Sequence, residues 1–252
     1  MATKPLLKAL ADAGLGPRRA LADAIRQKRV RVNGAVAEDF RLPVNLESDR
    51  VSLDGRPADL RPDEPVYLLL NKPSGVMSTT SDERGRTTVL DLLPAKYRGR
   101  RLFPVGRLDR DSTGLMLLTN DGELTHRLTH PSFENEKEYV IELESGLTGR
   151  EKARLEQGIQ LDEGMTHPAA VGDVDASRFR YSITLHEGRK RQVRRMFEQV
   201  GHHVIALQRV RMGSLRLGYL KEGQVRPLRS EEMRAVLSQT VRPARGPGHG
   251  AR

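Results

Sequence analysis

The chain has 252 residues, of which 37% are hydrophobic and 30% charged, a composition that supports a folded core. It contains no cysteine, which excludes disulfides and thiolate metal sites. No apolar run reaches the length of a membrane span. The N-terminus lacks the apolar stretch of a secretory signal, so we expect no membrane contact and a cytoplasmic protein. The formal net charge of +10 favours a polyanionic partner, although a basic protein with no nucleic-acid role is the alternative on charge alone.

The first 60 residues predict two helices followed by a small sheet. Apolar residues recur at helical spacing in residues 6–13 and again in residues 20–25. Pro17 can open the second helix, because its missing N–H would have no partner there in any case. Residues 30–36 alternate around an Asn-Gly turn and indicate a hairpin, and Val51–Leu53 adds a strand.

A one-sided basic cluster lies within these helices and their hairpin. Its local sequence contains only Asp23 as a counter-charge, whereas a solvated helix face usually carries both signs, so the cluster indicates a phosphate-facing surface. The RNA-binding residues predicted here are Arg18, Arg19, Arg26, Lys28 and Arg29.

The pattern from Gly14 to Gly34 resembles the RNA-binding domain first described in ribosomal protein S4. Pro17 replaces a residue that is often Ser in that family, and Lys28 replaces one that is often Gly. A lysine at a glycine position predicts a left-handed backbone conformation at some energetic cost.

The rest of the chain predicts a second domain of mixed α+β class with a largely antiparallel sheet. Residues 57–65 are proline-rich and predict a linker, and residues 66–71 form an apolar run typical of a buried strand. We therefore predict domains at 1–60 and 61–239, with a disordered basic tail at 240–252. Further strands are predicted at 115–118, 139–143, 178–185 and 204–210, and helices at 148–157, 189–200 and 230–238.

The densest motif runs from Gly106 to Gly122. A polar loop with alternating charges leads into a buried strand, which ends in an Asn-Asp-Gly turn. A loop braced by a core strand is a common way to hold a catalytic carboxylate. The alternative is a salt-bridged surface loop in which Asp109 or Asp111 pairs with a neighbouring arginine.

Four segments in order are similar to the RsuA/RluB family of ribosomal RNA pseudouridine synthases, and the B-type synthases of the large ribosomal subunit are the most similar. The central motif, Gly-Arg-Leu-Asp followed by Thr-Gly-Leu and Thr-Asn-Asp-Gly, lies between Gly106 and Gly122. The segments beginning at Asn71, at Lys137 and at Glu187 resemble the family's first motif, its Lys-x-Tyr segment and its third motif. With the N-terminal module, the resemblance covers residues 6 to about 235.

The resemblance implies a catalytic group of Asp109, Tyr139 and Arg194. Asp109 would act at the sugar's anomeric carbon or remove a neighbouring proton, and either route needs an ionised carboxylate. Arg194 would turn inward to pair with Asp109, with a solvent-exposed phosphate contact as the alternative. Tyr139 would stack on the extruded uracil, with ordinary core packing as the alternative.

The resemblance also implies RNA contacts around this group. Arg107, two residues before the aspartate, would extrude the target nucleotide or anchor a phosphate. The residues of the third motif expected to point toward RNA are Lys190, Arg191 and Arg195.

Pseudouridine formation involves no redox change, so the resemblance implies no cofactor, and we expect no metal or nucleotide site either. The expected protein is a monomer that acts on a uridine of large-subunit ribosomal RNA, free or in a pre-ribosomal particle. Small-subunit RNA and a non-catalytic RNA-binding assembly factor are the alternatives. A hydrolase using Asp109 and Asp111 ranks last, because the sequence offers no activated water or metal.

Overall fold

The computed structural model describes residues 3–239, and the predicted tail at 240–252 lies outside the described residues. The chain forms two compact units. The first contains the chain up to Val66 together with Gly99–Leu102 and Asn120–Gly122. The second contains Tyr67–Arg98, Phe103–Thr119 and the chain from Glu123 onward. No helix within residues 3–239 is both long and apolar enough to cross a bilayer.

The first unit contains two helices and two small antiparallel sheets. A two-stranded sheet pairs β1 with β4, and a four-stranded sheet has the order β3-β2-β5-β6. The elements are β1 (Thr3–Pro5), α1 (Leu6–Asp12), α2 (Arg18–Arg26), β2 (Val30–Val32), β3 (Ala35–Val36), β4 (Pro43–Asn45), β5 (Val51–Leu53) and β6 (Arg56–Ala58).

The predicted helices and hairpin of this unit are confirmed. The apolar stripe of α2 packs on α1, and Ile25 and Leu10 are fully buried. Asn33 and Gly34 both have positive φ, as a tight hairpin turn requires. Lys28 adopts the left-handed conformation predicted for it, with φ 59°.

The linker predicted at residues 57–65 is wrong at its start. Pro57 lies in β6, opposite Ser52 of β5. Because β6 is an edge strand, a proline without an N–H is tolerated there. Leu60 is also buried in the core of the first unit, so its apolar side chain ties this stretch to the fold.

The second unit is built on a nine-stranded mixed sheet. Its strands are β7 (Tyr67–Lys72), β8 (Phe103–Pro104), β9 (Thr113–Thr119), β10 (Lys137–Leu143), β13 (Ala170–Asp175), β14 (Arg180–Leu185), β15 (Val204–Met212), β16 (Leu215–Arg216) and β17 (Val225–Pro227), and a separate hairpin joins β11 (Gln160–Leu161) to β12 (Gly164–Met165). The helices are α3 (Gly122–Thr129), α4 (Gly149–Gln157), α5 (Gln192–Glu198) and α6 (Ser230–Gln239), with 3-10 turns at Ala95–Tyr97, Pro131–Phe133 and Ala176–Arg178.

Two antiparallel halves meet in this sheet. The strand order is β13-β14-β10-β15-β9-β7-β17, and β8 and β16 add to β9 and β15. All pairings are antiparallel except β15 with β9, which run parallel through only two residue pairs, Gln208–Thr113 and Arg209–Gly114. The mixed, largely antiparallel sheet predicted from the sequence is therefore confirmed.

Each half of the sheet has its own apolar core. Helices α4 and α5 cover one, where Phe197 and Met196 are fully buried beside β10 and β14. Helices α3 and α6 belong to the other, with Leu115 and Leu117 of β9 at its centre. Helix α5 is shorter than predicted, because Arg191 has φ 50° and cannot continue a right-handed helix.

Gly114 is essential to the parallel joint. A Cβ at this position would lie 2.3 Å from the backbone oxygen of Arg209 and 2.7 Å from its nitrogen, and the φ of Gly114 is +106°. We expect Gly114→Ala to lower the free energy of unfolding by more than about 4 kcal/mol, because backbone atoms cannot yield as a side chain can. Urea unfolding of the full chain measures this change.

The matched control is Gly164→Ala. Gly164 has nearly the same φ, +104°, but no atom lies within 4 Å of the place that its Cβ would occupy. The cost of this control is that of the unfavourable φ alone, about 1–3 kcal/mol. Equal losses of stability in the two variants would show that the close approach to Arg209 is unimportant.

Candidate active site

Asp109 lies in a turn that leads directly into β9. The amide of Ser112 donates to the backbone oxygen of Asp109 at 3.1 Å, which closes the turn. The side chain of Asp109 is half-buried, whereas Ser112 and all residues of β9 after Thr113 are buried. The carboxylate is thus carried at the end of a rigid core strand.

The end of β7 and the segment that follows it bind the backbone of the Asp109 turn. The fully buried Lys72 ammonium donates to the backbone oxygens of Ser112 at 2.8 Å and Arg110 at 3.3 Å. Ser78 donates its hydroxyl to the backbone oxygen of Leu108 at 2.6 Å and accepts from the Leu108 amide at 3.1 Å. The backbone is therefore fixed on both sides of Asp109, which supports a precise carboxylate position.

Arg194 is buried as expected, but the predicted pairing with Asp109 is wrong in this structure. Its guanidinium donates to the backbone oxygen of Val204 at 2.7 Å and forms an ion pair with Asp111 at 3.3 Å. Arg191 also binds Asp111, at 3.0 Å. Within residues 3–239 no ion pair joins Asp109 to a cation, because the two arginines approach the turn on the side of Asp111.

Asp109 still lies within electrostatic reach of two cations. The hydrogen bond with Asp111 raises the pKa of Arg191, and the charge of Asp109 adds to this effect. Burial lowers the pKa of Lys72 to about 8, and the charges of Asp111 and Asp109 partly oppose that shift.

A cleft of about 650 Å³ opens in front of Asp109. A volume of this size accommodates a nucleotide. The cleft lies within the second unit, and its lining comes from the Asp109 turn, the end of α3, strands β10 and β15, and the loop before α5. The ionisable lining residues, with Gln192, are Arg107, Asp109, His130, Lys137, Tyr139, His186, Glu187, Arg189, Lys190, Arg191 and Arg209.

Tyr139 lines the cleft and packs against the core beneath it. It stands opposite Arg209 of β15 and Ile183 of β14 in the sheet register. The half-buried side chain packs against the core cluster and also lines the cleft. This placement is compatible with both interpretations of the tyrosine, base stacking and core packing.

The loop before α5 is fixed by a hydrogen-bonded carboxylate. Glu187 accepts from the side chains of Gln192 at 2.7 Å and Arg189 at 3.1 Å, and from the amide of His167. Arg189 also donates to the backbone oxygens of Gly164 and Met165 in the β11–β12 hairpin, both at 2.6 Å. The third sequence motif thus forms a rigid wall of the cleft.

The residues of the second unit that were predicted to contact RNA differ in whether their side chains already have a partner. Arg107 and Lys190 are exposed at the cleft, and within residues 3–239 neither has a hydrogen-bond or ion-pair partner. Arg191 is bound to Asp111, and Arg195 is bound to Glu163 at 2.8 Å. Arg107 and Lys190 are therefore the cations ready to meet a phosphate.

The basic cluster of the first unit is less one-sided than its local sequence indicates. Arg26 pairs with Asp23, Lys28 with Glu38 and Arg29 with Asp54, at 2.5–2.8 Å. Two of these acids, Glu38 and Asp54, come from strand connections distant in sequence. Arg18 and Arg19 are exposed and have no such partner among the described residues.

Lys137 and Arg209 are among the cleft residues that sequence reasoning did not predict as site residues. Lys137 was only part of a motif, although period-two alternation puts it on the same strand face as Tyr139. Arg209 gave no signal, because a basic residue in a predicted strand of a basic protein suggests an exposed position. The arginine is instead only 2% exposed.

Comparisons with known proteins agree with this geometry. The family model described as RNA pseudouridylate synthase matches residues 66–199, and the S4 domain model matches residues 4–51. Ribosomal large subunit pseudouridine synthase B of Bacillus subtilis (strain 168) is 41% identical, over 92% of this chain and 94% of that protein. A protein of Mycobacterium tuberculosis (strain ATCC 25618 / H37Rv), named as an uncharacterized RNA pseudouridine synthase, is 45% identical over 90% and 91%.

A solved structure agrees as well. The crystal structure of a pseudouridylate synthase superposes with a TM-score of 0.67 at 32% identity, covering 92% of this chain and 98% of that one. Fold, cleft and relatives together define an enzyme that acts on RNA and carries an S4 domain. The chain belongs to the RNA pseudouridylate synthase family.

Lys72 leads to a pH prediction. In the unfolded chain a lysine titrates at about 10.4, so between pH 8 and that value the unfolded state binds more protons than the folded state. Stability therefore rises with pH across this interval, and the full cost of burying the charge is present below pH 8. We expect the free energy of unfolding of wild type, relative to that of Lys72→Met, to rise by about 3 kcal/mol between pH 7.5 and pH 10.5.

Urea unfolding of both proteins at a series of pH values measures this difference. The Lys152→Met variant, which removes a partly exposed lysine of α4 that pairs with Asp173, controls for the change in net charge. Parallel stability curves for wild type and Lys72→Met would contradict the buried, proton-releasing ammonium.

Proposed function

We propose that the enzyme isomerises a specific uridine of large-subunit ribosomal RNA, with Asp109 as the catalytic carboxylate. The observation that carries this proposal is the cleft itself, which is lined both by Asp109, on its braced turn, and by Tyr139. The printed name of the Bacillus subtilis relative supports large-subunit RNA as the substrate. We further propose that the enzyme works as a monomer in the cytoplasm, on free RNA or on a pre-ribosomal particle.

Two chemical routes are consistent with the position of Asp109. The carboxylate attacks the anomeric carbon C1′ of the sugar, or it removes the neighbouring proton from C2′. In both routes the C1′–N1 bond breaks, the base turns, and a bond forms between C1′ and C5. In the first route this bond displaces the carboxylate from C1′, and in the second the carboxylic acid of Asp109 returns the proton to C2′. The C5 proton leaves and N1 takes up a proton, so the reaction balances without an oxidant or reductant.

Tritium release from RNA containing 5-tritiated uridine tests the proposal directly. Wild type should release tritium from an unmodified large-subunit transcript and not from a small-subunit one, and Asp109→Asn should abolish release while retaining RNA binding. The matched control is Asp111→Asn, which removes the same charge two residues further on and should lower the rate without abolishing it. Full activity of Asp109→Asn would exclude Asp109 as the catalytic carboxylate.

The identity of the RNA substrate is tested independently of the role of Asp109. Tritium release from the small-subunit transcript alone would identify small-subunit RNA as the substrate. Release that occurs only from a pre-ribosomal particle would identify the particle as the substrate. Tight binding without release from either RNA or particle would favour the non-catalytic assembly factor.

The free cations of the first unit give a second prediction. The Arg18→Gln/Arg19→Gln double variant should flatten the plot of log affinity against log salt by roughly 0.7–0.9 for each phosphate that is no longer bound. The matched variant Arg26→Gln/Arg29→Gln removes two charges that Asp23 and Asp54 already neutralise, so its slope should change less. Filter binding at several salt concentrations measures the slope for each variant. Equal changes in the two variants would contradict the prediction that the unpaired arginines contribute more to RNA binding than the ion-paired ones.

A further inference from the structure

Two cations that have no role in the scheme above lie side by side in the cleft. Lys137 begins β10 and faces the same way as Tyr139, since the two are separated by one residue. Arg209 stands opposite Tyr139 in the neighbouring strand β15. Both residues line the cleft that contains Asp109.

Arg209 is buried with part of its hydrogen-bonding capacity unused. Its side chain is only 2% exposed, and its Nε donates to the backbone oxygen of Leu115 at 2.8 Å. Its Nη2 is buried and has no hydrogen-bond partner among the described residues. A buried unpaired donor is costly, and an acceptor on a ligand bound in the cleft would offset that cost.

Lys137 is similarly short of partners. Its ammonium donates to the backbone oxygen of Asn135 at 3.2 Å, which uses one of three donors. The acid that acts on it electrostatically, Glu187, is committed to Gln192, Arg189 and an amide. Burial and the charge of Arg209 both lower the pKa of Lys137, so this part of the cleft is short of negative charge.

We propose that Lys137 and Arg209 are catalytic residues that stabilise the uracil anion formed when the C1′–N1 bond breaks. This proposal rests on the proposed function of the cleft. The bond's electron pair goes to N1 and is delocalised over O2 and O4 of the detached base, which is held by the two cations until C5 bonds to C1′. Uridine itself is neutral, so the cations act mainly on the transition state and the intermediate.

A phosphate is the less suitable ligand for this pair. An extruded nucleotide inserts its base most deeply while its phosphates stay near the surface. The exposed Arg107 and Lys190 are positioned for those phosphates at the rim. Arg209 lines the same cleft but is only 2% exposed, so it is better suited to an inserted base than to a phosphate at the surface.

Single-turnover kinetics with the full-length enzyme and tritiated RNA test the proposal. Lys137→Met should lower the rate of the chemical step by about 10²–10³-fold, the usual effect of losing one preorganised donor to a developing anion. The RNA dissociation constant should change less than threefold. The control is Lys152→Met, which removes an equal charge from a partly exposed residue of α4 that does not line the cleft, and it should leave both quantities unchanged.

Lys137→Arg gives a second test that does not depend on how well the Met variant folds. The ionisable groups that face Lys137 are Arg209 on β15, Glu187 after β14 and Tyr139 on its own strand. The wild-type rate should fall as pH rises through the pKa of Lys137, which burial holds below its usual 10.5. Arginine stays protonated, so the Lys137→Arg rate should be retained to higher pH.

The possible failures can be told apart. Release of tritium by wild type tests the proposed function, and the ratio of variant to wild type tests Lys137. A Lys137→Met enzyme with the wild-type rate would overturn the proposal. So would weakened RNA binding at an unchanged rate, which would make Lys137 a phosphate ligand, and so would identical pH profiles for wild type and Lys137→Arg.

Discussion

The close approach between Gly114 and the backbone of Arg209 is the constraint on which the cleft depends. It joins two antiparallel half-sheets through only two parallel residue pairs. The Asp109 turn enters the sheet on one side of this joint, and Arg209, with Tyr139 beside it, lies on the other. Moving the joint by even one residue would change which side chains line the cleft together with Asp109, since register fixes which side chains share a face.

Hydrogen bonds from buried cations to backbone carbonyls then fix the Asp109 turn and its neighbours in position. Lys72 saturates the oxygens behind the Asp109 turn, and Arg194 links that turn to the first residue of β15. Burying these cations costs desolvation energy, as the lowered pKa of Lys72 shows. The cost is acceptable because both side chains bind several oxygens, which makes them rigid supports and leaves Asp109 free of an ion pair.

The sequence predicts the parts of this fold that depend on local pattern. The Asn-Gly hairpin and the apolar face of α5 follow from residue type and spacing, and the left-handed Lys28 follows from the resemblance to the S4 domain. The structure confirms all three. The catalytic residues stay predictions that follow from family motifs. The parts that depend on distant residues could not be predicted: Glu38 and Asp54 neutralise the basic cluster from separate connections, and Arg194 meets Asp111 through tertiary packing.

The cations of the cleft divide into two kinds, and the division is physical. Exposed cations such as Arg107 and Lys190 are hydrated, so the RNA contacts that we propose for them would contribute to affinity and be sensitive to salt. Lys137 and Arg209 are at least partly desolvated before substrate binds, so a charge that develops beside them interacts strongly and without reorganisation. Lysine and arginine occur in both kinds, so the sequence alone does not distinguish them, and burial separates the residues that we propose to hold the RNA from those that we propose to act on the base.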